Sequence, residues 1–190
     1  MDYKLMIQST PNPNALKFVL NAPVKTEGKA TYKKSEECEH NPLAKMIFSV
    51  SPHIKEVYFF DNYITVTQDG ALEWDELEEK ARTVILANIT AHDPDFKVEI
   101  PESAKIPSAS NDDPNVAQIN TILDQTVRPA LQMDGGDLQV VEYANNTLKI
   151  FYHGACGSCP SSTMGTMKAI ENILKDQFNP EIVVELSENT

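Results

Sequence analysis

Two cysteines separated by two residues stand in a short, glycine-containing segment near the end of the chain. The segment reads Gly154–Ala155–Cys156–Gly157–Ser158–Cys159–Pro160. Two thiolates three positions apart in a tight loop can chelate one tetrahedral metal ion, or two irons of a cluster. The glycines permit positive φ and a close approach of the backbone to the metal. Cys156 and Cys159 are therefore the candidate ligands.

The elements on either side of this motif should favour the thiolate form. A strand is predicted over 148–153, and a helix is predicted to open at Pro160 or Ser161. The hydroxyls of Ser161, Ser162 and Thr163 are predicted to cap this helix, with hydrogen bonds to cluster sulfides as the alternative. The first turn of a helix presents free N–H groups and a positive dipole end, which lower the pKa of a nearby thiol. The motif thus lies at a predicted helix N-terminus.

One chain supplies only two of the four ligands that a structural zinc ion or a 4Fe–4S cluster requires. Cys38 lies far earlier in the chain, in a segment predicted to be a polar loop, and is expected to be incidental. His153 stands at a predicted strand end, where its side chain can point away. The simplest way to complete the four ligands is a homodimer in which each copy contributes both Cys156 and Cys159.

The residues alone leave three interpretations of the motif open. The first is a metal cluster. The second is a thioredoxin-like dithiol oxidoreductase, which uses the same spacing at a helix start, although the two strands predicted before the motif look antiparallel rather than part of a βαβ unit. The third is a structural turn with incidental cysteines, or a zinc-bridged dimer.

Other candidate residues favour structural roles. Asp134 and Asp137 flank two glycines and are predicted to shape a helix-to-strand turn. Met164 and Met167 have helical spacing and are predicted to be core residues. No nucleophile–base pair or phosphate-binding loop occurs, so no catalytic turnover is expected. Three further histidines are predicted to lie isolated at the surface: His40, His53 and His92.

The pattern along the chain predicts an α+β protein of two small domains joined by a flexible linker. The boundaries are 1–100, a Pro- and Ser-rich linker over 101–113, and 114–190. In the first domain, 21–40 is predicted to be loop. The second is predicted to have the order α–β–β–α–β, with Asp113 as N-cap, Pro129 interrupting the first helix, and Asn145–Asn146 as a tight turn. The other predicted elements of the first domain are strands over 4–8, 15–20, 54–60, 63–68 and 96–100 and helices over 42–50 and 73–89.

Charge and hydropathy narrow the possible partners. The 190 residues carry a formal net charge of −12 and show no stripe of basic residues that could bind phosphate groups. Neither nucleic acid nor an anionic membrane is therefore expected as partner. No apolar run approaches the roughly 20 residues of a membrane span, and the first 20 residues lack a signal-peptide pattern. A cytoplasmic protein is predicted, with a processed protein of an organelle matrix as the alternative.

The second half resembles the NifU C-terminal domain of Nfu-type iron–sulfur cluster scaffold and carrier proteins. The resemblance is carried by Arg128–Pro129, by 134–138 (DGGDL) and by 154–162 (GACGSCPSS), followed by Met164 and the helix with Ile170 and Glu171. The first half resembles the N-terminal domain that accompanies it in many Nfu proteins, carried by 10–18 (TPNPNALKF).

This resemblance implies a specific function for the cysteine pair. It implies a 4Fe–4S cluster, one per dimer, held by Cys156 and Cys159 of each of two subunits. It further implies that the cluster comes from upstream scaffold proteins and passes to apo iron–sulfur client proteins. The chain would then be a carrier rather than an enzyme.

Overall fold

The computed structural model describes residues 2–98, 108–157 and 160–187. Two compact units, Met1–Ile100 and Pro101–Thr190, each contain helices and a sheet, so the predicted α+β class with two domains is confirmed. Residues 101–107 of the predicted linker lie outside the described residues, as do Ser158 and Cys159 of the cysteine motif. Within the described ranges, no helix is both long and apolar enough to span a membrane.

The first unit is a five-stranded antiparallel sheet with two helices. The strand order is β1-β2-β5-β4-β3. Asn41 begins the first helix as predicted, because its side chain accepts a hydrogen bond from the Ala44 backbone N–H at 3.2 Å. The bounds are β1 Leu5–Ser9, β2 Ala15–Leu20, β3 Lys25–Tyr32, β4 Ile54–Asp61, β5 Tyr63–Gln68, α1 Pro42–Phe48 and α2 Trp74–Asn88.

Two predictions for the first unit were wrong. The segment 21–40 is not all loop, because β3 lies within it as an edge strand of the sheet. Its exposed positions, such as Thr26 and Glu27, carry polar side chains that hide the alternation. No strand covers 96–98, and 99–100 lie outside the described residues. Phe96 is instead buried in the core, edge-on to Phe59 with ring centroids 5.9 Å apart.

The second unit follows the predicted order α–β–β–α–β. Strands β6 and β7 are antiparallel, and β7 pairs with β8 in parallel, with a helix crossing between them. Asn145 and Asn146 have φ of 51° and 62°, as the predicted tight turn requires. The first helix is interrupted before Pro129, also as predicted. The bounds are α3 Pro114–Thr126, α4 Arg128–Met133, β6 Gly136–Ala144, β7 Thr147–Gly154, α5 Pro160–Gln177 and β8 Val183–Leu186.

One face of this three-stranded sheet packs against the helices. Leu138 and Leu148 of the strands meet Ile119 of α3 and Ile170 of α5 in a single apolar cluster. Met164 was predicted to join this core, yet 71% of its surface is exposed, while Met167, one turn later, is partly buried against the cluster. The Met164 side chain therefore extends beyond the core.

Candidate metal centre

The loop that carries Cys156 is held by backbone hydrogen bonds on two sides. Strand β7 ends at Gly154, whose φ is +63°, and the Gly157 N–H donates to the Gly154 carbonyl at 3.1 Å. The Ala155 N–H donates to the Gly135 carbonyl at 3.2 Å, across the sheet edge. Cys156 stands between these two contacts as a partly exposed thiol that is not in a disulfide. The loop is thus positioned by both β7 and the turn before β6.

Gly136, the first residue of β6, makes the closest approach to the cysteine sulfur. A Cβ atom added there would lie 2.5 Å from Cys156 Sγ, 2.7 Å from the His153 carbonyl oxygen and 3.0 Å from the Cys156 nitrogen. Two of these three atoms belong to the backbone, so the position admits only glycine. Of the two glycines in the predicted turn, Gly135 takes the positive φ of 82° and Gly136 makes the close approach to the sulfur.

Helix α5 begins immediately after the motif, as predicted. The Thr163 hydroxyl donates a hydrogen bond to the Cys156 carbonyl oxygen at 3.3 Å. Thr163 was predicted to cap the helix, and this bond instead ties the first turn of α5 back to the cysteine loop. Cys159 lies outside the described residues, so its role as the second ligand stays a prediction.

Asp137 and His153 are buried beside the motif, but their side chains face away from the Cys156 sulfur. Side chains alternate along a strand, so Asp137 and its cross-strand partner His153 face away from the side on which Gly136 meets the sulfur. His153 Nε2 lies 3.0 Å from Gln139 Oε1. Asp137 was predicted to shape a turn, but it is a strand residue whose carboxylate lies 3.7 Å from Arg128 Nε.

The donor set around Cys156 suits a soft metal. A thiolate is the preferred ligand of zinc and of iron–sulfur clusters. Within the described ranges, no three His, Cys, Asp or Glu side chains lie close enough together to hold a metal ion. A Cβ-free cradle at Gly136, with a partly exposed sulfur beside it, fits a cluster bound at the protein surface.

Cys38 is a core residue of the first unit rather than a loop residue. It ends a short 3₁₀ turn, Ser35–Cys38, is fully buried, and donates from Sγ to the Lys34 carbonyl at 3.4 Å. Burial raises the pKa of the Cys38 thiol to about 12, and the nearby charge of Glu37 adds to the rise. A neutral, buried thiol is a poor metal ligand. The prediction of a polar loop was wrong because this turn packs on the core.

The histidines of the first unit are structural rather than isolated. His40 Nε2 lies 2.9 Å from the Tyr32 hydroxyl, and His92 Nε2 lies 2.8 Å from a backbone carbonyl oxygen. Burial lowers the pKa of His92. His53 Nδ1 lies 3.1 Å from the Asp69 carboxylate. The prediction that these side chains are isolated was therefore wrong, although His53 does lie at the surface, with 37% of its side chain exposed.

Comparison with known proteins matches each half of the chain to the model of a known domain family. Residues 5–92 match the family model described as scaffold protein Nfu/NifU N terminal, and residues 119–185 match the NifU-like domain. A solution NMR structure of a NifU-like protein from Saccharomyces cerevisiae aligns with 51% of this chain and 86% of that chain, at 22% identity and a TM-score of 0.45. That score is too low to support an argument about the fold.

Curated relatives align along almost the whole chain. "NifU-like protein 5, mitochondrial" of Arabidopsis thaliana is 33% identical over 90% of this chain and 62% of the relative. "NFU1 iron-sulfur cluster scaffold homolog, mitochondrial" of Drosophila persimilis is 31% identical over 94% of this chain and 62% of the relative. The chain thus spans about three fifths of the length of these relatives. With both domain models matched in order, the chain belongs to the NifU-like, Nfu-type family of iron–sulfur cluster scaffold proteins.

Proposed function

We propose that this chain carries a 4Fe–4S cluster on Cys156 and Cys159, shared between two copies of the protein, and passes it to apo-proteins. The observation that carries the proposal is the contact of Gly136 with the Cys156 sulfur, which sets this thiol against the edge of the sheet and leaves it partly exposed. Two thiolates from each of two copies complete the four ligands of one cluster per dimer.

Transfer from such a site is a ligand exchange. Each bond between an iron and a carrier thiolate breaks as a bond to a client thiolate forms, and the proton of the client thiol passes to the released cysteine. The oxidation state of the iron need not change. The cluster is therefore cargo, and the chain acts as a carrier without catalytic turnover.

The partners follow from the same proposal. They are a second copy of the chain, an upstream scaffold that supplies the cluster and apo iron–sulfur proteins that accept it, with neither nucleic acid nor membrane among them. The expected domains are 1–100 and 114–190, joined by the linker 101–113. The mitochondrial names of the relatives support the organelle-matrix alternative over the cytoplasm.

Anaerobic reconstitution with iron and sulfide tests this function. We expect broad absorbance in the visible region, about four irons per dimer, and a change from a smaller to a dimeric species by analytical ultracentrifugation on loading. Cys156→Ser should abolish all three signals. Cys38→Ala is the matched control, because that thiol is buried in the other unit, and it should load normally. A cluster of normal stoichiometry in Cys156→Ser would contradict the proposal.

A second measurement separates carriage from the alternatives. The loaded protein should activate an apo-ferredoxin faster than free iron and sulfide do. If the protein forms no cluster but its apo form reduces insulin disulfides, the dithiol oxidoreductase interpretation replaces carriage. A zinc-bridged dimer that resists exchange with iron and sulfide would instead identify a structural zinc site.

A further inference from the structure

Tyr152, near the end of β7, has a buried hydroxyl group that makes no hydrogen bond within the described part of the chain. The exposure of this residue is 3%. Nearly all buried hydroxyl groups in proteins are hydrogen-bonded, because burying one without a partner costs free energy. The Tyr152 hydroxyl is therefore able to donate a hydrogen bond to an acceptor that comes within its reach.

The register of the sheet brings Tyr152 to the face on which the cysteine sulfur lies. Tyr152 pairs with Leu138, and Gly154 pairs with Gly136, so Tyr152 and Gly136 are diagonal neighbours on one face. Cys156 Sγ lies 2.5 Å from the place of a Gly136 Cβ, on that same face. Diagonal positions are within reach of a long aromatic side chain. The Tyr152 side chain and the Cys156 sulfur therefore lie on the same face of the sheet.

A further observation connects the pair. Tyr152 belongs to the apolar cluster of the second unit, and Cys156 packs against that same cluster. A tyrosine hydroxyl is protonated at neutral pH, so it can act as a hydrogen-bond donor.

We infer that the Tyr152 hydroxyl donates an O–H···S hydrogen bond to the Cys156 sulfur when that sulfur holds a cluster, and so positions the ligand and strengthens its hold. The inference rests on the proposed function of the cysteine pair. Hydrogen bonds to cysteine ligands stabilise the negative charge on sulfur and tune the reduction potential of the cluster. The donor comes from the protein interior, leaving the outer side of the cluster open to a client.

Tyr152→Phe removes this hydroxyl and keeps the ring. Tyr143→Phe is the matched control, because Tyr143 lies in the same unit and its hydroxyl accepts a hydrogen bond from Asn179 at 3.3 Å. After reconstitution, an iron chelator should strip the cluster from Tyr152→Phe about five-fold faster than from the wild type, and from Tyr143→Phe at the wild-type rate. Resonance Raman bands of the iron–thiolate bonds should shift in Tyr152→Phe and become less sensitive to D2O.

In the apo-protein, the same substitution should stabilise rather than weaken, and the melting temperature measures this effect. Without a cluster the hydroxyl is only a desolvation cost, so Tyr152→Phe should raise the melting temperature of the apo-protein. A lowered apo melting temperature would assign the hydroxyl to ordinary structure and overturn the inference. Wild-type rates of cluster loss with unchanged Raman bands would also overturn it, while leaving the proposed function intact. Failure of the wild type to load any cluster would overturn both.

Discussion

Gly136 and Cys156 lie near the ends of two different strands, yet they approach so closely that no Cβ atom fits between the glycine backbone and the cysteine sulfur. The glycine is the first residue of β6, and the cysteine lies in the loop after β7. Their contact makes the edge of the sheet one wall of the candidate site. A rigid wall beside a thiolate is what a cluster ligand needs, because it limits the positions that the sulfur can take.

Replacing Gly136 with Ala should therefore damage the site. The added methyl group would meet the sulfur at 2.5 Å and the His153 carbonyl at 2.7 Å. We expect a loss of about 1–3 kcal/mol in the free energy of unfolding, from overpacking, together with a lower cluster content after reconstitution. Urea unfolding and iron analysis measure the two effects.

Gly165→Ala is the matched control for this change. Gly165 lies on the exposed side of α5, and nothing lies within 4 Å of an added Cβ. Alanine should stabilise the helix by roughly 0.5–1 kcal/mol and leave cluster content unchanged. Normal loading of Gly136→Ala would contradict the role assigned to the glycine contact.

Cys38→Ala should reduce the sensitivity of the protein to alkali. Burial raises the pKa of the Cys38 thiol from 9.0 to about 12, so the folded state favours the neutral form. That contribution to stability is fully present below about pH 9 and is lost as the pH rises through 12. The free energy of unfolding should therefore fall more steeply over this range in the wild type than in Cys38→Ala. Parallel pH profiles from urea titrations would show that the thiol does not contribute.

Glu171→Gln should remove an acid-sensitive set of hydrogen bonds that connects α5 with β8. The Glu171 carboxylate accepts hydrogen bonds from Lys168 at 2.8 Å, Lys175 at 2.7 Å and the Val184 N–H at 3.3 Å, and these hold its pKa at about 2. The stabilisation is present above about pH 4.5 and is lost as the pH falls through 2. The wild type should lose stability over this window faster than Glu171→Gln, as measured by thermal unfolding at a series of pH values.

A surface carboxylate provides the comparison for Glu171. Glu142 pairs with Lys149 at 2.8 Å, and about half of each side chain is exposed, 52% and 45%. Exposed pairs contribute little, so Glu142→Gln should keep the acid profile of the wild type. An equal effect of the two substitutions on stability at low pH would mean that net charge, rather than the hydrogen bonds of Glu171, sets the acid profile.

Arg128→Met should destabilise the second unit. Arg128 approaches the buried Asp137 carboxylate at 3.7 Å, donates to Asn120 Oδ1 at 2.8 Å and pairs with Asp124. Methionine keeps the apolar stem but removes the positive charge beside Asp137, which we expect to cost about 3 kcal/mol. Chemical denaturation of the wild type and the variant measures this loss. Lys149→Met, which breaks only an exposed pair, should cost less than about 1 kcal/mol.

Features set by short-range chemistry were predictable from the sequence. Asp113 caps α3 through a hydrogen bond from the Asn115 N–H at 2.8 Å, as a carboxylate before Pro114 indicates. The Asn145–Asn146 turn was predictable because asparagine tolerates positive φ. The order of elements in the second unit and the cysteine motif itself also follow from neighbouring residues.

Features set by distant partners were not predictable in this way. The strand β3 is mostly polar on its exposed side and becomes a strand by pairing with β4. Cys38 looks polar among its neighbours Glu36, Glu37 and Glu39, yet its own side chain packs on the core. Burial depends on which elements pack together, and a local pattern does not contain that information.

The sequence by itself determined that two cysteines, three positions apart, stand before a predicted helix, and that this pair is two short of the four ligands that a cluster requires. Only the tertiary structure decided what surrounds Cys156. Gly136 stands far from Cys156 in the sequence and Tyr152 stands just before the motif, and the pairing of β6 with β7 brings both to one face of the sheet. The register places a bare backbone and a buried phenol on the face where the sulfur lies, because residues on one face of a sheet meet across strands rather than along the chain.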